Sequence, residues 1–86
     1  MKFNVLNKKA VQLWEWREYE KGSLIENGIA LNETATFIWK LCDGKRTINE
    51  IISIMVDKYD VERKVAEKDI VDCIKILVKN GAIRLK

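Results

Sequence analysis

The hydrophobic period of this chain changes once, near Asn32, and that change restricts the fold more than any composition figure. Before it, apolar residues alternate as in strands; after it they recur every three or four residues as in helices. A sheet followed by helices is therefore expected, in an α+β domain. With 86 residues there is room for one core, since domains usually take roughly 100 to 200 residues. A single domain over residues 1–86 follows.

Within the first third, Val11 to Arg17 reads as one strand, with Val11 and Leu13 on one face and Trp14 and Trp16 on the other. Residues 18–22 make a turn, Ser23 to Glu26 a second strand, and Asn27-Gly28 a tight hairpin using positive φ angles. Ile29 to Leu31 is the third strand. The result is a three-stranded antiparallel sheet.

Three helices follow. Asn32 caps the first, whose stripe is Ala35, Ile38, Leu41 and Cys42, and Asp43-Gly44 ends it. Thr47-Ile48-Asn49-Glu50 has the spacing of a capping box, in which hydroxyl and carboxylate each accept the other residue's amide hydrogen. Ile48, Ile51, Ile52, Met55 and Tyr59 then line the second helix. The third runs from Arg63 to Asn80 and is closed by Gly81 in the left-handed conformation. Residues 82–85 form a terminal extended segment. No internal repeat or interdomain linker is present.

The third helix carries more apolar surface than one core seam requires. Ala66, Ile70, Ile74 and Leu77, flanked by Val71 and Val78, suffice for the core. Val65, Asp69, Cys73 and Ile76 extend the arc to roughly 240°, against the 100° or so of ordinary burial. Either the sheet covers this flank, or it forms one wall of a groove for a partner. A short sheet leaves an unpaired edge that can accept an extended peptide as one more strand, and Ile29 to Leu31 is the candidate edge. Trp14 and Trp16 form a candidate second apolar patch, a surface for a partner enzyme.

Composition removes most other functions. There is no His and no Pro, and Cys42 and Cys73 are the only cysteines. No set of metal ligands or nucleophile and base can be assembled, and the glycines are isolated at turns and helix ends. No catalytic residue, metal or cofactor is assigned. Paired carboxylates such as Asp57 and Asp60, or Asp69 and Asp72, read as solvated helix charges. The two cysteines read as buried free thiols in a reducing cytoplasm rather than a disulfide. The net charge of +3 is spread over interspersed signs. The leading turns of the third helix mix Arg63, Lys64 and Lys68 with Glu62, Glu67 and Asp69, which weakens DNA binding by a winged helix, the alternative from another class. No signal peptide or membrane span is apparent, so a cytoplasmic protein is expected.

The ordered series Leu31-Asn32-Glu33-Thr34-Ala35, Ile38-Trp39, Leu41-Cys42-Asp43-Gly44, Thr47-Ile48 and Ile51 resembles the PQQ synthesis protein D family, also called the RiPP recognition element. The likeness continues through Tyr59-Asp60-Val61 and Ala66-Glu67-Lys68-Asp69-Ile70 to Gly81. It covers roughly residues 11 to 85 and leaves the first ten without a role. Many relatives have Pro where this chain has Arg63.

This resemblance implies a winged helix-turn-helix-like fold, a three-stranded sheet ahead of a three-helix bundle. It also implies a noncatalytic protein that binds the leader segment of a ribosomally made precursor peptide. The leader would join the strand Gly28 to Leu31, pairing with Ile29, Ala30 and Leu31, and lie on the third helix. Val65, Cys73 and Ile76 would receive its apolar side chains, Asp69 a basic or amide group, with Lys68 and Asp72 at the rim. The implied partner is a modifying enzyme such as a radical SAM protein, a cyclase or a leader peptidase. Neither nucleic acid nor membrane is implied as a partner. Exposed strand edges also permit a homodimer, and a general adaptor without a precursor peptide is a further alternative.

Overall fold

The computed structural model describes residues 5–86. The elements are β1 (Lys9–Gln12), β2 (Trp16–Tyr19), β3 (Gly22–Ile25), β4 (Ala30–Asn32), α1 (Glu33–Lys40), β5 (Asp43–Thr47), α2 (Ile48–Tyr59), α3 (Arg63–Lys79) and β6 (Ile83–Leu85). They build two antiparallel three-stranded sheets, in the orders β5-β1-β6 and β2-β3-β4. The class is α+β, as expected, and β2 to β4 form the anticipated meander.

The single strand expected over Val11 to Arg17 is instead two strands in two sheets. Leu13 still bonds through its amide to Ala82 of the first sheet, while the Glu15 carbonyl accepts the Glu26 amide of the second. The alternation runs on, but the backbone changes partners at Trp14. A second difference is β5. Asp43-Gly44 does stop α1, yet the residues from Asp43 to Thr47 then pair with β1 across a register shift. This strand has no apolar residue to announce it. It is shaped by Gly44 at φ 78 and by the Asp43 carboxylate, which accepts the amides of Lys45 and Arg46. Those amides hold the Asp43 carboxyl below its usual range, helped by the Arg46 guanidinium. The terminal extended segment becomes β6 and covers the other side of β1.

Helix ends follow their local chemistry. Asn32 accepts the Ala35 amide at 2.8 Å. Both halves of the capping box form, Glu50 N–H to Thr47 Oγ1 at 3.1 Å and Thr47 N–H to Glu50 Oε1 at 2.8 Å. Asp60, at φ 52, closes α2 and Gly81, at φ 71, follows α3. In the β3–β4 hairpin Gly28 alone takes positive φ, and Asn27 does not.

The core lies where α1, α2 and α3 meet the inner faces of both sheets. It contains Ile25, Ile38, Trp39, Ile48, Ile51, Ile52, Ile70, Ile74 and Leu77, all buried. Tyr59 and Val78, both expected inside, are largely exposed. Tyr59 packs edge-on against Phe37 at the end of α2. Val78 lies on the shoulder of the helix stripe. Trp39 was not among the expected core residues, yet it is the largest buried side chain. Its Nε1 lacks a hydrogen-bond partner among the described residues, a cost of about 1–3 kcal/mol. Residues 5–10, which the resemblance left without a role, contribute buried Val5 and Ala10, and the Lys8 carbonyl accepts the first amide of α2. Among the described residues no helix is long and apolar enough to cross a membrane.

Candidate functional site

A shallow groove runs between the β4–α1 junction and α3. One wall is Asn32, Thr34, Ala35 and Ile38; the other is Asp69, Asp72 and Cys73. The first wall is set by the Asn32 cap, which turns the chain from strand to helix at that point. The second is a helix stripe, because residues 65, 69, 72, 73 and 76 follow the spacing of one face.

The free edge of β4 belongs to the same surface. Ile25 bonds through its amide to the Ile29 carbonyl, so hydrogen-bonded pairs fall at Ile25/Ile29 and Ser23/Leu31, and the Leu24/Ala30 pair between them is not bonded. The amide and carbonyl of Ala30 therefore point away from β3. Of the three residues expected to pair with a peptide, Ala30 alone has its backbone groups on the open side. The Ile29 carbonyl is taken, its amide reaches Asn27 Oδ1 at 3.3 Å, and Leu31 faces β3. Gly28 shapes the turn, with its amide on the Ile25 carbonyl.

One hydrogen bond and the groove itself relate this edge to α3. At one end Asn27 Nδ2 donates to the Asn80 carbonyl; at the other Asn32 meets Asp69, Asp72 and Cys73 across the groove. The strand thus lies alongside the C-terminal half of α3. Ile76 occupies the helix between those contacts and is 58% exposed, while Val65, a turn before Asp69, is 49% exposed. The sheet does not cover this flank. Ile76 and Val65 extend the helix stripe but do not line the groove itself.

The electrostatics of the groove are acidic. Lys68 bonds to Asp72 at 2.9 Å, and that bond raises the ammonium's affinity for its proton. Asp69 faces the groove without an ion pair among the described residues. Burial pushes the Cys73 thiol up to about 11, so it meets the groove as a neutral, weakly polar group. Cys42 is fully buried, with its thiol directed to the Ile38 carbonyl, and both cysteines are free. A more enclosed hollow lies elsewhere, between β2, α1 and the end of α2, but its Lys40 and Glu18 already pair with each other at 2.7 Å.

Trp14 and Trp16 border one shallow hollow with Gln12, Leu13 and Glu15, but they are not equally exposed. Trp14 is 46% exposed and donates its indole N–H to the Gly81 carbonyl at 2.9 Å. Trp16 turns inward and packs edge-on against Trp39. The groove residues that the sequence did not single out as a site, Asn32, Thr34, Ala35 and Ile38, carried a signal only as a cap and a buried stripe. No group of His, Cys, Asp or Glu suited to a metal occurs among the described residues.

Fold and groove define a small α+β domain with an open strand edge beside a helix. Residues 19–83 match the family model described as coenzyme PQQ synthesis protein D, PqqD, and the chain belongs to that family. It is similar to the PqqA binding protein of Methylococcus capsulatus, at 34% identity over 73 residues, covering 81% of this chain and 76% of the relative. No solved structure matches significantly.

Proposed function

We propose that this protein is a noncatalytic carrier that binds the leader segment of a ribosomally made precursor peptide and presents it to a modifying enzyme. The observation that carries this reading is the open edge at Ala30, whose amide and carbonyl point away from β3 and have no partner among the described residues, beside the exposed stripe of α3. Family membership supports it, as does the relative named for binding PqqA.

The leader adds to β4 as a further strand. Alternate side chains then face the groove, where Ala35, Ile38 and Cys73 receive an apolar group, and the neighbouring one reaches Ile76 or Val65. Asp69 takes a basic or amide group of the leader, and the Lys68–Asp72 pair forms the rim. Few anchors must offset the ordering of a flexible peptide, so a dissociation constant of about 1 μM is expected. The bound core segment projects past the groove to a radical SAM protein, cyclase or leader peptidase.

The test is a calorimetric titration of the folded protein with the leader half of the nearest encoded short peptide, using its core half as control. Saturable one-to-one binding of the leader alone is expected. Equal binding of both halves, or of neither, sinks the reading.

A further inference from the structure

We propose that the outer face of the β5-β1-β6 sheet is a second docking surface, built for an acidic patch on a partner protein. Ala10 and Gln12 of β1 point inward, Ala10 into the core and Gln12 through its amide to the Trp39 carbonyl. By alternation Lys9, Val11 and Leu13 point outward. Arg84 stands opposite Val11, and Lys9 and Lys86 exchange both backbone hydrogen bonds, so their side chains share that face.

The charges that are interspersed along the sequence are gathered here by the fold. Lys9, Arg84 and Lys86 lie on the face, and exposed Lys45 and half-buried Arg46 lie on β5 at its side. The Lys86 side chain extends across β1, because a Cβ added at Gly44 would lie 3.8 Å from its Nζ and 3.3 Å from Val11 Cγ2. The acids nearby are already engaged. Asp43 holds Arg46 at 2.6 Å, and Glu50, next to Lys9 and Arg46, is committed to the Thr47 amide.

Like charges directly opposite on a sheet destabilise it. The Lys9/Lys86 pair, with Arg84 beside Val11, therefore works against the free fold, and such local conflicts collect at functional surfaces. Leu13 adds a second conflict, since it is 49% exposed at the end of the same face, with Trp14 next to it in the chain. A cationic cluster around Val11, with exposed Leu13 and Trp14 at one end of it, matches the composition of a protein interface, in which apolar, Arg and Trp side chains are enriched. A nucleic-acid duplex would bring phosphates and water onto Leu13, and a bilayer would find one apolar side chain to insert. The occupant is a partner protein with Asp and Glu grouped around an apolar site. Its identity as the modifying enzyme rests on the proposed function.

No groove residue lies on this sheet, so leader and partner can be held together. The experiment measures binding of the full chain to the nearest encoded peptide-modifying enzyme, at low and high salt, with leader titration in parallel. Arg84→Glu with Lys86→Glu should weaken enzyme binding at least tenfold and flatten its salt dependence, while leader affinity stays unchanged. Lys86→Glu alone should unfold at an equal or higher temperature, because it turns a repulsive pair into an attractive one. Leu13→Ser should weaken enzyme binding without altering that salt dependence. Enzyme binding unchanged in the double variant overturns the proposal. So does an enzyme that the wild-type protein does not bind, or tighter binding to anionic vesicles or random duplex than to the enzyme. Loss of leader binding with enzyme binding intact would instead strike the groove reading and leave this surface standing.

Discussion

A Cβ added to Gly22 would lie 2.3 Å from the carbonyl oxygen of Leu31 on the neighbouring strand. Backbone atoms cannot retreat from such a contact without moving β4, the strand whose other side presents Ala30. Gly22→Ala should therefore cost about 1–3 kcal/mol, as overpacking does, and weaken leader binding as well. Urea unfolding measures the first effect and calorimetry the second. An alanine variant with wild-type stability would mean that β4 is free to shift.

Ser23 and Thr36 share a buried hydrogen bond of 2.7 Å between their hydroxyls, joining β3 to α1. Removing one partner leaves the other hydroxyl buried and unsatisfied, at about 1–3 kcal/mol. Ser23→Ala and Thr36→Val should each destabilise by about that amount. Together they should cost less than the sum of the two, since no orphaned group remains. A double-mutant cycle in urea checks the sign of the coupling.

The parts of this fold that were legible in the sequence are those decided locally. Asn32, the Thr47/Glu50 box and Gly81 carry their cap chemistry in their own side chains or backbone freedom, and the buried stripe of Ala66, Ile70, Ile74 and Leu77 follows from spacing. What was not legible depends on partners distant in the chain. Nothing local divides Val11 to Arg17, because the break is made by Ala82 on one side and Glu26 on the other. Nothing apolar marks Asp43 to Thr47 as a strand. For the candidate site, the wide arc on α3 was readable. That the sheet leaves Ile76 uncovered was not, nor that Ala30 alone among Ile29, Ala30 and Leu31 turns its backbone outward.

Burial raises both thiols, Cys42 to about 12 and Cys73 to about 11, with Cys73 and Asp43 adding to the effect at Cys42. Above the ordinary value of 9.0 the unfolded chain releases these protons while the folded chain retains them. Stability is therefore fully present below that pH and should fall as pH rises from it toward the folded values. Cys42→Ala should have a shallower decline than the parent from about pH 9 upward. Parallel declines would show that the lysines, not the thiol, set the slope.

Ile76 and Ile51 separate binding from folding. Ile51 is fully buried in α2, so Ile51→Asp places a carboxylate among apolar side chains at a cost of several kcal/mol, a large part of the stability of a domain this small. It should unfold the protein, with loss of the cooperative thermal transition. Ile76 is on the same scale mostly solvated, so Ile76→Glu removes little packing and should change stability by about 0.5 kcal/mol or less. Its effect falls on the peptide instead. A third carboxylate, beside Asp69 and Asp72, replaces an apolar anchor on the helix beside β4, and leader affinity should drop at least tenfold, about 1.4 kcal/mol. Circular dichroism establishes that the variant is folded and calorimetry reads the affinity. A folded Ile76→Glu protein that binds the leader as tightly as wild type would remove α3 from the binding surface, leaving the Ala30 edge as the only contact to test.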